Sequence, residues 1–155
     1  MPAIQERSRT KELAQKKIRR ERSKIELARI QYQRALVSES ETLTQKEIAS
    51  AAMISQPSVS EALEKARTIG GLKEGFSGGT LHEIFLRYSA DEITKTQLID
   101  ELSRWEYEKP NVADSIDGLL VDLPNTFREV EDALIMGIIE DDVYSEVLNR
   151  LRQMG

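Results

Sequence analysis

The chain has 155 residues, 39% hydrophobic, 32% charged and only 5% aromatic, with no cysteine. That length allows ~70% of the unfolded surface to be buried, and a charge-rich, aromatic-poor mix suits helices better than a β-sandwich, so an all-α fold is expected. Without cysteine there are no disulfides, Cys-bound zinc, iron–sulfur clusters or thiol nucleophiles. The start lacks a signal peptide's apolar region and no stretch approaches the ~20 apolar residues of a membrane span, so the expected setting is cytoplasmic, without membrane contact.

Charge is unevenly placed. Residues 1–38 carry 11 Lys+Arg against 4 Asp+Glu, residues 39–67 carry 3 against 5, and residues 68–155 carry 8 against 18. A basic beginning can meet a polyanion; an acidic end is suited to other partners.

From Ile4 to Val37 strong helix formers run without Gly or Pro, which predicts one long N-terminal helix. Written in heptads, Ile4, Lys11, Ile18, Ile25 and Tyr32 share one position and Arg7, Ala14, Glu21, Ala28 and Ala35 the facing one. The seam is apolar only from Ile18 onward, so the second half should pack and the first half should be solvated. For Ile18, Ile25, Ala28, Tyr32 and Leu36, packing on neighbouring helices and a dimeric coiled coil both remain open. The basic stretch from Arg7 to Lys24 is readable as a solvated face or frayed arm, or as a DNA-backbone or dimer contact, and any bound state it supports is salt-sensitive.

Ser38 to Thr42 ends this helix. Thr44 then opens TQKE, a capping box with Glu47, before a short helix over about Gln45 to Ala52. Ser55 caps another, Pro57 fits its first turn, and Val59, Ala62, Leu63 and Ala66 form its inner face.

Residues 45–64, QKEIASAAMISQPSVSEALE, resemble the helix-turn-helix of bacterial and phage DNA-binding regulators. Ile48 and the small Ala49 match the first helix's contact positions, Met53 and Ile54 match the turn, and Val59 and Leu63 match the buried positions of the second helix. Met53 departs from the family's usual Gly. The resemblance implies that Ser55, Gln56, Pro57, Ser58, Ser60 and Glu61 lie at the N-terminal outer side that enters the major groove, with Lys65 further along, and that Thr44 and Gln45 meet phosphate. The residue types fit: Gln pairs with adenine N6 and N7, Ser suits several base edges, and Glu accepts from cytosine N4. It also implies a homodimer on double-stranded DNA and a role as transcriptional regulator, as a repressor, rather than as an enzyme.

Gly70, Gly71, Gly75, Gly78 and Gly79 crowd one segment, a linker signal. The division is therefore residues 1–67 for the basic helix and helix-turn-helix, 68–79 for the linker and 80–155 for an acidic helical module. Within that module TLHEIFLRYSADEITKTQLIDELSRW and TFREVEDALIMGIIEDDVYSEVLNRL align at an offset of 46 residues, pairing Thr80 with Thr126 as caps and Glu83 with Glu129 as their box partners. A true repeat and two hairpins alike through helix physics alone both explain this. Glu106 to Pro124 reads as an irregular crossing loop. The acidity beyond residue 67 motivates a second reading, an antitoxin whose C-terminal module binds a protein partner while the N-terminal half autoregulates its operon.

Other candidate chemistry is discounted. Glu140, Asp141 and Asp142 suit a helix start; Asp114, Asp117 and Gly118 lack the spacing of a calcium loop; His82 is the single histidine and has no triad. The glycines precede no G-K-[ST], so no phosphate loop, cofactor or metal is expected.

Overall fold

With no Gly or Pro to break it after its first residue, the basic segment forms one helix, α1 (Pro2–Glu39), of 38 residues, which at 1.5 Å per residue spans about 57 Å. The computed structural model describes residues 2–109 and 124–155, and over them the protein is all-helical: α2 (Gln45–Ala52), α3 (Gln56–Ala66), α4 (Leu81–Ser89), α5 (Lys95–Arg104), α6 (Arg128–Ile135) and α7 (Asp141–Met154) follow. No helix among the described residues is long and apolar enough to cross a membrane.

Two hydrophobic clusters organise the chain. In the smaller, Leu36 from α1 meets Ile48 and Ala49 of α2 and Val59 and Leu63 of α3, with Leu43 and Ala62 at its edge. In the larger, Leu81, Ile84 and Phe85 of α4, Leu98 and Leu102 of α5, Val130 and Ala133 of α6, and Val143 and Val147 of α7 are buried together with Trp105. α1 packs on both α3 and α4 and so joins the two.

The first half of α1 is solvated: residues 3–18 are all exposed. The second half packs, but not through its heptad seam. Ser23, Leu27 and Leu36 are buried, whereas Ile18, Ile25 and Tyr32 are exposed. The inward face needs side chains that fit closely against α4 and α3, and the row containing Ser23, Leu27 and Arg34 supplies both the small residue and the ion-pair partner; a row of bulky Ile and Tyr supplies neither.

The glycine-bearing segment joins the clusters as a folded corner. Phe76 packs edge-on against Trp105 at 5.0 Å between ring centres, and the Ser77 N–H and hydroxyl both donate to the buried Glu101 carboxylate. At Gly79 a Cβ would collide with the Gly71 carbonyl oxygen, and at Gly78 it would lie 2.8 Å from the Glu83 Cβ. These two positions admit no side chain without movement.

In the larger cluster α5 and α7 begin 46 residues apart, as do the two left-handed residues that close the hairpins, Asp91 (φ 60°) and Gly137 (φ 76°). The two helix pairs share one register. α6 differs from α4 at its start: Phe127 stands at the cap position without a side-chain cap bond. The Glu129 carboxylate accepts instead from the Asn125 N–H at 2.9 Å, while the Asn125 side-chain oxygen accepts from Leu81 N at 3.2 Å. Most of the expected crossing loop, including Pro110, Asp114, Asp117, Gly118 and the Leu119–Val121 run, falls outside the described residues.

Candidate nucleic-acid interface

The region from Thr44 to Arg67 is built by local chemistry. Thr44, in extended backbone, accepts from the Glu47 N–H through its hydroxyl oxygen, and the Glu47 carboxylate accepts from the Thr44 N–H at 3.2 Å, so both halves of a capping box are made. The Thr44 backbone N–H and then its hydroxyl, both donating to Glu47, hold that carboxyl below the usual carboxylate range.

α2 ends in a Schellman turn. Ile54 N–H donates to the Ala49 carbonyl at 3.1 Å, Met53 N–H donates to that of Ser50 at 3.3 Å, and Met53 sits in the left-handed region with φ 57° and ψ 42°. This is the geometry for which Gly is favoured, and the Met side chain there is 90% exposed, so it packs on nothing that offsets a strain of roughly 1 kcal/mol.

Ser55 then caps α3. Its hydroxyl oxygen accepts from Ser58 N–H at 3.3 Å and lies 2.7 Å from the Ser58 hydroxyl. Pro57 falls in the first turn, where its missing N–H is harmless. Val59 and Leu63 face α1 and α2, whereas Gln56, Pro57, Ser58, Ser60 and Glu61, around the N-terminal turns of α3, are exposed. Glu61 and Lys65 form a loose pair at 3.7 Å, an exposed contact of little energetic weight that an incoming nucleic acid can displace. Thr44 and Gln45 are exposed at the N-terminus of α2.

All nine candidate residues are therefore at the surface, and Ser55 through Glu61 lie together on one turn and a half of helix. Lys46, Lys65 and Arg67 lie within the region itself, but the basic residues from Arg7 to Lys24 do not join them. Arg19 donates to the Gly137 and Met136 carbonyls, Arg20 pairs with Asp91, Arg22 with Glu26, and Lys24 with Glu21. The exposed cations Arg7, Arg9, Lys11, Lys16 and Lys17 occupy the far half of α1, whereas α3 packs near Leu36. Nineteen residues separate Lys17 from Leu36, or roughly 30 Å of helix.

Sequence reasoning did not find the clasp behind this surface. Arg34 of α1 donates to both Glu83 carboxylate oxygens, at 2.7 and 2.6 Å, and its Nε–H donates to the Gly70 carbonyl at 3.1 Å. Glu83 also accepts from Arg87 and from the Gly79 N–H, each at 3.0 Å. Burial opposes ionisation of Glu83, but Arg34, Gly79 and Arg87 outweigh it and hold its carboxyl below the usual range. The hydrogen bond to Glu83 likewise raises the Arg34 guanidinium. Arg34 and Glu83 lie 49 residues apart, and no local pattern pairs them.

In the acidic triplet, Asp142 pairs with Lys95 at 3.0 Å and Glu140 accepts from the Tyr88 hydroxyl at 2.7 Å. No acidic or histidine cluster suited to a metal occurs among the described residues. Compared with known proteins, the chain matches no family model, no curated protein and no solved structure.

Proposed function

We propose that this protein is a cytoplasmic, sequence-specific DNA-binding transcriptional regulator, acting as a repressor through residues 44–67. The observation that carries this reading is the exposure of the N-terminal turns of α3: Val59 and Leu63 are buried against α1 and α2, while Gln56, Ser58, Ser60 and Glu61 around them stand exposed. In a major groove Gln56 reads adenine through N6 and N7, Ser60 adjusts to several base edges, and Glu61 accepts from cytosine N4. Thr44, Gln45 and the free N–H groups at the start of α2 meet phosphate and set register, with Lys65 as a further phosphate contact. One short helix makes few base contacts, so two copies on two half-sites provide the specificity.

The test is selection of genomic fragments by the purified protein at two salt concentrations, repeated with a Gln56→Ala, Ser60→Ala variant. Enrichment of one palindromic site that the variant fails to enrich is the expected result. Salt-labile retention without a preferred site, unchanged in the variant, overturns the reading and leaves only the basic half of α1 holding DNA.

A second reading is favoured by the α6–α7 corner, where Ile135 and Met136 are exposed on a module that is otherwise acidic. There the module is an antitoxin surface for a basic protein partner, and the helix-turn-helix autoregulates the operon. Capture of a neighbouring gene's product by the full chain, abolished by Ile135→Asp, distinguishes it.

A further inference from the structure

The seam that α1 withholds from its own chain is self-complementary. Ile18 is 71% exposed, Ile25 54% and Tyr32 44%, and Glu21, Ala28 and Ala35, which alternate with them along the same stripe, are exposed too. The opposite side of the helix is occupied: it carries Arg20, Ser23, Leu27 and Arg34 onto the rest of the molecule. α1 is thus an amphipathic helix with two working faces, one of which, among the described residues, has no occupant from Ile18 to Tyr32 and meets α2 and α3 only at Leu36.

We propose that this face binds a second copy of the chain as an antiparallel helix pair, with its two-fold axis between residues 26 and 27. In that register each large residue meets a small or complementary one: Ile18 faces Ala35 of the second copy, Ile25 faces Ala28, and the Tyr32 hydroxyl faces the Glu21 carboxylate, to which it can donate. Knobs then enter holes along the shared length of residues 15–38, about 36 Å. The parallel alternative stacks Ile on Ile and Ala on Ala, and sets Glu21 against its own copy.

Charge selects the same orientation. A parallel pair brings Lys17 against Arg22 and Lys24 against Arg29, and repeats both repulsions on its other flank. The antiparallel pair sets Lys17 beside Ser38 and Lys24 beside Gln31, and leaves two repulsions, Arg22 of each copy against Arg29 of the other, in place of four. Arg22 is already paired with Glu26 of its own helix at 3.3 Å.

This arrangement completes the interface proposed above, and in that respect it rests on the DNA-binding reading. With the axis between residues 26 and 27, Lys17 of one copy lies level with Leu36 of the other, where α2 and α3 pack. The exposed cations that a single chain holds roughly 30 Å from its own α3 are thereby brought alongside the second copy's helix-turn-helix. The two Leu36 levels are also roughly 30 Å apart along the pair, close to one turn of DNA.

Two measurements on the full chain, neither involving DNA, test the pairing. Solution mass should be that of a dimer, and Ile25→Glu, which sets a carboxylate against Ala28 of the second copy on either side of the axis, should weaken it by roughly 100-fold or more while leaving the helical circular dichroism unchanged and removing the concentration dependence of the melt. The remaining opposition of Arg22 and Arg29 predicts that added salt strengthens the dimer, opposite to its effect on DNA binding. Because the chain has no cysteine, introduced thiols report orientation cleanly. A mixture of Ile18→Cys and Ala35→Cys chains should form a disulfide-linked heterodimer, and neither variant should cross-link to itself. A monomeric wild type, a dimer that Ile25→Glu leaves intact, or self-cross-linking of Ala35→Cys overturns the proposal. If pairing fails and fragment selection succeeds, only this inference falls; the converse leaves the pair standing without its DNA.

Discussion

Arg34 and Glu83 bind each other through two parallel bonds of 2.7 and 2.6 Å, tying the helix that supports the helix-turn-helix to the first turn of the acidic module. Glu83 is 3% exposed, so loss of either partner leaves the other poorly compensated. Glu83→Gln should lower unfolding free energy by about 3 kcal/mol, measured by urea denaturation at neutral pH.

The same pair gives a pH dependence with a definite sign. Glu83 is held below its ordinary value of 4.5 in the folded protein, so its contribution is complete above about that pH and is lost as pH falls through the depressed folded value. The stability difference between wild type and Glu83→Gln should be constant near neutrality and shrink in acid. A difference that grows on acidification would contradict the assignment.

At Met53 the strain is local and removable. Met53→Gly relieves a side chain at φ 57° and should stabilise the protein by about 0.5 kcal/mol, net of the entropy glycine gains on unfolding. Thermal denaturation checks this, and a lowered melting temperature refutes it.

Ser55 tests the recognition helix from its end. Ser55→Ala removes the acceptor for Ser58 N–H and should cost about 1 kcal/mol, a drop of about 2–4 °C in Tm for a chain of this size. Site preference in DNA binding should weaken with it, since Gln56 and Ser58 lie in the turn that frays.

Neutralising Arg7, Arg9 and Lys11 together should leave the melt unchanged, because all three are exposed. The salt slope of DNA binding should fall by about 0.9 for each phosphate that these side chains no longer neutralise. An unchanged slope would mean that the first half of α1 does not touch DNA.

Where structure depends on neighbours in the chain, it was readable from the sequence. The boundaries of α2, its Thr44–Glu47 box, the Ser55 cap, the placement of Pro57 and the burial of Ile48, Ala49, Val59 and Leu63 all follow from hydrogen bonds and periodicities spanning three or four residues. The long α1, the all-helical class and the common register of the two C-terminal hairpins were legible for the same reason.

Which stripe of α1 turns inward was not legible, because the more apolar seam is the one left outside and the choice depends on what α3 and α4 present. Ser23, Leu27 and Arg34 win by fitting close to α4 and by pairing with Glu83, 49 residues beyond Arg34. Ile18, Ile25 and Tyr32 are left outside in consequence. The sequence by itself determined the helices, their caps and the polar outer face of α3, since these are short-range matters of backbone hydrogen bonding and hydrophobic period. Only the tertiary structure decided which face of α1 is committed to the fold and which stays exposed among the described residues, since that choice is a comparison between interactions of residues far apart in the chain.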